Sequence, residues 1–469
     1  MAGGSDAQPV GDAARRPPPS LGWFPRRPLG YWLTAAVILA ATTWAAPFID
    51  AHLNLKAEHD WLFQRLTHSE GNRTEAGKAR LVIIEDNDYW LGPLHHRVPT
   101  DRRYLAAVVR ALNTAGADVI ALDFDLSTPT PAKPVRPGDF GAIDSSEVYR
   151  AETDELIRAI VDVAKERKIV LAKTISGPDN GPFHLQSDAY QAYGLCIRLT
   201  GDGVWANPGT GTAEFKLDQA QQSNISCGYI ALMDDAREIP PPARIVGQPE
   251  RLDAFPLAIV RAHRPYELPN LTAHPYYARY IEGDVVNNPH ITMLAKKLLA
   301  DPMLAHDVLH GLPVVVGAGW HRYGFASGPI VDLHPTPIGE VSGALIHMNL
   351  AEAILSGRSY PGLSGSGLMA MEVLTGVAAA VLFAGFSRFR TKLAALVGAI
   401  GALFAIQWLV LGLFGVFFDA FAPVVALGLH TLTDRLVGET DAGHPSPVDR
   451  FVERLRRVRL ASREGEVSQ

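Results

Sequence analysis

Acidic and imidazole side chains gather behind three short apolar runs of this chain. Leu81–Glu85 (LVIIE) leads into Asp86 and Asp88, and Val119–Leu122 (VIAL) leads into Asp123 and Asp125. Gly311–Gly319 (GLPVVVGAG) leads into Trp320 and His321, and a further loop offers Asp332, His334 and Thr336. Carboxylates grouped with imidazoles can hold a hard cation through oxygen or fix a polar small molecule in a pocket. Asp, Asn and His are also common turn and cap residues after strands, where they bond to local backbone. The turn-and-cap reading is the stronger at this level. Sharper signatures are missing: the sequence has no G-x-S-x-G elbow, no H-E-x-x-H and no phosphate-binding loop. Gly209-Thr210-Gly211 lacks the preceding strand and the third glycine of a dinucleotide fingerprint. His95-His96 could bind metal but reads better as a solvated loop. No catalytic residue, no metal ligand set and no cofactor is expected.

For the acidic groups to meet, the runs ahead of them must be neighbouring strands, because ligands of open parallel sheets sit beyond the carboxyl ends. The pattern between the runs supports this. Asp101–Thr114 has helical spacing, with Tyr104, Leu105, Val108, Val109 and Leu112 on one face and Thr100 or Asp101 as cap. Helix-like Ser145–Arg167 precedes the apolar run Ile169–Ala172. Strand, helix of about a dozen residues and strand in succession read as parallel βαβ units. The expected fold is an α/β domain over residues 50–365 with a mostly parallel sheet. Residues 176–224, polar and rich in Gly, Asn and Gln, read as an insertion or long loop. Gly343–Ser356 reads as an amphipathic helix leading to Gly357–Gly367, a Gly/Ser-rich linker. Cys196 and Cys227 could form a disulfide worth roughly 3–4 kcal/mol, or remain two buried thiols.

The rest of the chain partitions toward lipid. Its 469 residues are 47% hydrophobic and 20% charged, which excludes a disordered chain. A net charge of −6 with no basic domain points away from nucleic acid. Tyr31–Phe48 is uncharged, follows Arg15, Arg16, Arg26 and Arg27, and is longer than a signal-peptide core. Leu368–Phe386 holds one charge, Glu372, and ends at the basic loop Arg388–Lys392. Leu393–Thr433 is long enough to cross a bilayer twice, with a turn near Phe414–Asp419. Four transmembrane helices follow, one before the α/β domain (31–49) and three after it (366–386, 393–413 and 416–434). Basic residues near the helix ends assign the cytoplasmic side to residues 1–30, to the Arg388–Lys392 loop and to 435–469. The 50–365 domain is then extracytoplasmic. The tail holds a basic amphipathic pattern, with Phe451, Leu455 and Val458 beside Arg450, Arg454 and Arg457.

Several segments together resemble the type-2 CHASE domain, an extracellular sensory domain of bacterial cyclases and histidine kinases. They are LVIIEDNDYW (Leu81–Trp90), RVPTDRRYLAAVVRAL (Arg97–Leu112) and GADVIALDFDLSTP (Gly116–Pro129). Further along come CGYIALMDDAREIP (Cys227–Pro240), PLAIVRA (Pro256–Ala262) and VDLHPTPIGEVSGALIHMNLAEAILSGR (Val331–Arg358). The one-plus-three helix layout is similar too. Where the family has a Trp-Pro-Trp-like segment, this chain reads LGPLHHRVP. The resemblance implies an output domain after the last helix, but Asp434–Gln469 is shorter than the ~40 residues a chain needs to fold unaided. The expectation is therefore a multi-pass sensor of the bacterial inner membrane that meets a small-molecule or protein stimulus. It would signal through a separate effector protein, in an arrangement compatible with a homodimer. A docking component of an envelope complex and an anchored metal-dependent enzyme are the alternatives.

Overall fold

The computed structural model describes residues 32–41, 63, 77–95, 97, 100–124, 126, 146–177, 183–185, 204–206, 214–233, 236–247, 249–266, 268, 274–281, 284–336, 338–363, 365–386, 389–418 and 424–428. In chain order the elements used below begin with α1 (Trp32–Ala41) and β1 (Arg80–Ile84). Next come α2 (Arg102–Thr114), β2 (Val119–Leu122), α3 (Ser146–Val163), β3 (Lys168–Lys173), β4 (Ile225–Tyr229) and α4 (Phe255–His263). They continue with β5 (Tyr276–Ala278), β6 (Thr292–Leu294), α5 (Ala295–Ala300), β7 (Pro313–Ala318), β8 (Leu333–Thr336) and β9 (Gly339–Ser342). The last are α6 (Gly343–Leu355), β10 (Ser359–Pro361), α7 (Gly365–Ala384) and α8 (Phe389–Phe414).

Contacts divide the chain into two units, one of which joins Leu53–Gly365 to Gln407–Phe418. Its centre is a six-stranded sheet in the order β6-β1-β7-β2-β3-β4. Every neighbouring pair runs parallel. The strands are short apolar runs, many of their residues β-branched, that pack on both faces, the composition a sheet needs when helices cover both sides. Alternation decides which face each residue serves: Val82, Ile84, Ile120, Leu122, Val314 and Val316 pack with α2, α3 and α5. Leu81, Ile83, Val119, Ala121 and Val315 pack with α4 and α6.

Helix α2 forms where its spacing foretold, with Tyr104, Leu105, Val108, Val109 and Leu112 all buried. Asp101 is its cap, accepting the Arg103 backbone N–H at 2.9 Å, an interaction worth about 1 kcal/mol. Arg97 ties this start to α3 through two parallel bonds to buried Glu152, at 2.8 and 2.9 Å. It also bonds Asp101 at 3.0 Å.

Three sequence expectations change here. Helix α6 is not amphipathic: all thirteen residues are buried, His347, Asn349 and Glu352 among them. The linker Gly357–Gly367 contains a strand, β10, which pairs antiparallel with β5. Residues 176–224 are not one loop, because Ile175–Ser176 pairs with His184–Leu185 and Val204–Ala206 pairs with Glu214–Lys216. Helix Gln219–Asn224 then leads directly into β4, its start closed by a reciprocal Asp218–Gln221 capping box.

The second unit comprises Met1–His52, Ser366–Ile406 and Asp419–Gln469. Among the described residues, two helices are long and apolar enough to cross a membrane, α7 and α8. Helix α8 starts four residues earlier than the expected 393–413 span and absorbs Arg390 and Lys392. Packing in this unit is close at glycines. A Cβ on Gly376 of α7 would lie 2.3 Å from the Leu39 side chain of α1, and one on Gly428 would lie 2.4 Å from Leu396 of α8. Small residues at such crossings let helix backbones approach closely. Of the first and fourth expected spans, residues 32–41 and 424–428 are the described helical portions.

Candidate functional site

Strand β7 lies between β1 and β2, so Asp86 and Asp88 after β1, Asp123 after β2 and Trp320 and His321 after β7 do reach one edge of one sheet. They form two groups there, one toward α2 and one toward α6.

On the α2 face, Asp86 closes a loop. Its Oδ1 accepts the His321 backbone N–H at 2.7 Å, and its Oδ2 lies 2.6 Å from the His321 ring Nδ1 and accepts the Ala326 N–H at 2.8 Å. Burial pushes the Asp86 carboxyl up, but the two backbone donors and the His321 ring more than offset it and hold it below its ordinary value. Trp90 Nε1 donates to the His321 carbonyl at 3.0 Å, and Tyr89 stacks flat on Trp320 at 4.2 Å. Asp88 turns inward, where its Oδ1 accepts from the Tyr104 hydroxyl at 2.9 Å. Burial raises the Asp88 carboxyl despite that bond. Much of the bonding capacity of this group is thus spent on fastening the β7–β8 loop to the sheet.

On the α6 face, Asp123 follows β2 and lies beside Gly317 of β7. Burial, and second the like charge of Asp332, push its carboxyl up to about 8. Asp332 holds the left-handed backbone at φ 57°, a conformation Asp tolerates better than most residues. Its Oδ1 lies 2.8 Å from His334 Nε2, and its carbonyl accepts the Gly343 N–H at 3.0 Å. Gly343 opens α6, and a Cβ there would lie 2.1 Å from Asp332 Oδ2. Glycine is required for the carboxylate to come so close. A Cβ on Gly317 would likewise lie 2.1 Å from the Ala344 Cβ, so glycine also lets α6 rest on β7. This second group is the better candidate for meeting a ligand: Asp332 and His334 keep 55% and 39% of their side chains exposed.

One turn into α6, His347 is buried with its ring Nδ1 unpaired. Burial first, and His334 second, drive its imidazole down to about 3, so it is neutral at ordinary pH. Near the far end of α6, Glu352 accepts three successive backbone N–H groups that lead into β1: Gly77 at 3.1 Å, Lys78 at 2.8 Å and Ala79 at 2.7 Å. Ser356 and Arg358 also reach Glu352, and Lys78 Nζ donates to the Leu355 carbonyl. A single buried helix therefore begins at the Asp332 cluster and ends on the segment entering β1, next to the exit through β10. The sequence reading overlooked Glu352 and His347. An imidazole and a charge inside the mostly apolar GALIHMNLAEAIL were the available signal, since a glutamate is almost never fully buried unless paired.

Asp125 and Cys196 lie outside the described residues, so the disulfide reading does as well. Cys227 sits half-buried in β4.

The described residues thus form a parallel α/β domain with a polar cluster at its carboxyl edge, in a chain that also carries two helices long and apolar enough to cross a membrane. A family model, the CHASE2 domain, matches residues 33–386, and the chain belongs to that family of extracellular sensory domains. Neither the curated proteins nor the solved structures hold a match to it.

Proposed function

We propose that the chain is a non-enzymatic, membrane-anchored sensor that recognises a small-molecule or protein stimulus outside the cell and signals through a separate effector protein. The observation carrying this reading is α6, whose first residue touches Asp332 and whose Glu352 clamps the backbone leading into β1. A ligand engaging Asp332 and His334 would favour one position of this helix, and it can shift the balance only by its differential affinity for the two positions. Four membrane spans, cytoplasmic termini, the bacterial inner membrane and a homodimer complete the proposal. The glycine-mediated packing of α1 on α7 and of residues 424–428 on α8 supports the four-helix count.

The test uses the full chain in lipid nanodiscs, screened by thermal shift against small molecules and peptides. A ligand at 100 times its Kd should add about 2.7 kcal/mol, and Asp332→Ala should abolish that gain. Crosslinking from the Arg450–Arg457 segment should capture a cytoplasmic effector. Capture of outer-face partners alone, with no stabilising ligand, would instead make the protein a docking component.

A further inference from the structure

The turn after α8 is built into the sensory unit. Gly415, at φ 64°, ends the helix, its N–H bonded to the Leu411 carbonyl at 2.8 Å, as left-handed caps do. Two residues on, Phe417 adds itself to the β5–β10 pair as a single parallel rung. Its N–H donates to the Pro361 carbonyl at 3.0 Å, and its carbonyl accepts from Leu363 at 3.3 Å. Phe417 is 2% exposed, and its ring stands edge-on to Phe63 at 5.0 Å and Tyr277 at 5.6 Å. Phe63 also meets Tyr360 at 5.9 Å and carries the Arg237 guanidinium over its face. Gly362, the rung's partner, leaves room for the Tyr277 ring that Phe417 packs on, since a Cβ there would lie 2.6 Å from that ring. Buried Gln407, two turns before the end of α8, donates to the Phe418 carbonyl at 3.1 Å and holds the turn from behind.

A connecting turn between two membrane segments needs none of this. Two backbone bonds, a buried aromatic cluster, a glycine spared for close approach and a polar side chain inside an apolar helix all serve the same attachment. From this we propose that Gly415–Phe418 is a strap through which the sensory domain acts on α8 directly. Movement of β10 would then leave the domain by two routes, through its covalent continuation α7 and through Phe417 into α8. The inference rests on the sensor reading only for the direction of the signal.

The experiment uses the full chain in nanodiscs with Cys196 and Cys227 replaced by serine and a nitroxide on Val397→Cys of α8. Glu352→Gln perturbs the domain without any stimulus, and Phe417→Ala cuts the strap. Phe417→Ala alone should speed hydrogen exchange at Leu363 at least tenfold and increase the nitroxide's mobility, leaving β1 and β7 protected. Glu352→Gln should alter the nitroxide spectrum with Phe417 present and leave it unchanged with Phe417→Ala. An equal response in both backgrounds would assign the whole signal to α7, and unchanged Leu363 exchange in Phe417→Ala would remove the attachment; either overturns the strap. If Glu352→Gln does not fold, the Phe417→Ala exchange and mobility results decide alone. A failed ligand screen with a working strap would count against the sensor reading only.

Discussion

Glu352 of α6 accepts the backbone N–H of Ala79 at 2.7 Å, across 273 residues of sequence. This bond, with its neighbours to Gly77 and Lys78, makes one buried carboxylate the common anchor of the strand that opens the sheet and the helix that closes it. The start of β1 and the end of α6 are held together there.

Removing that anchor should be costly. Glu352→Ala leaves three backbone donors and Arg358 without their acceptor in a buried place, a loss of about 3–5 kcal/mol by the standard of broken buried ion pairs. Glu352→Gln keeps one acceptor oxygen and should cost about 1–3 kcal/mol. Equilibrium unfolding of the full chain measures both, and stabilities indistinguishable from the parent would refute the anchoring role.

Asp86 should stabilise the fold only when ionised. Its carboxyl is held below the ordinary value by His321 and Ala326, so its contribution is complete above about pH 4, the unfolded value, and is lost as pH falls through the folded one. Asp86→Ala should cost about 1–3 kcal/mol at pH 7. The gap between it and the parent should close in the acid limb, and a constant difference down to pH 2 would contradict the assignment.

Asp123 works in the opposite sense. The folded protein keeps its proton up to about pH 8, whereas the unfolded chain releases it near pH 4, so stability declines as pH rises between those values. Asp123→Asn should match the parent at pH 4 and exceed it at pH 8, by about 1–3 kcal/mol for a relieved buried charge. Unfolding curves at the two pH values check this, and a variant less stable at pH 8 would show that Asp123 has an unrecognised cationic partner.

His347 adds a separate acid-sensitive window. Its folded value near 3 lies below the unfolded 6.5. Acidification from about 6.5 to 3 therefore favours the unfolded state, which takes up the proton first. Replacing it by Leu should flatten this part of the pH–stability curve, and a curve that keeps its slope would place the acid sensitivity elsewhere.

Gly317→Val should separate α6 from the sheet. The new side chain would meet the Ala344 Cβ and backbone, and overpacking of this kind costs about 1–3 kcal/mol. A fall in thermal stability, with faster exchange at Ala344–Leu345, is the expected result; unchanged exchange would mean that α6 does not rest on β7 as described.

The parallel sheet was legible in the chain because its strands are buried on both faces, so each is an unbroken apolar run whatever its neighbours are. Helix α2 was legible for a related reason: its period of 3.6 and its Asp101 cap are local. The long apolar helices were legible because length and apolar composition are properties of neighbouring residues alone. Strand order is different in kind. That β7 slots between β1 and β2 depends on which apolar surfaces fit, and only this choice brings Asp86 to His321 and Asp123 to Asp332. The same holds for α6, read as amphipathic, whose Asn349 and Glu352 are drawn inside by the Ile281 backbone N–H and by those of Gly77, Lys78 and Ala79, 68 to 275 residues away. The β5–β10 pair and the Phe417 rung rest on backbone bonds that carry no side-chain signature. Patterns of period and hydropathy are written into neighbouring residues, whereas the partners of buried polar groups are chosen by packing across the whole domain.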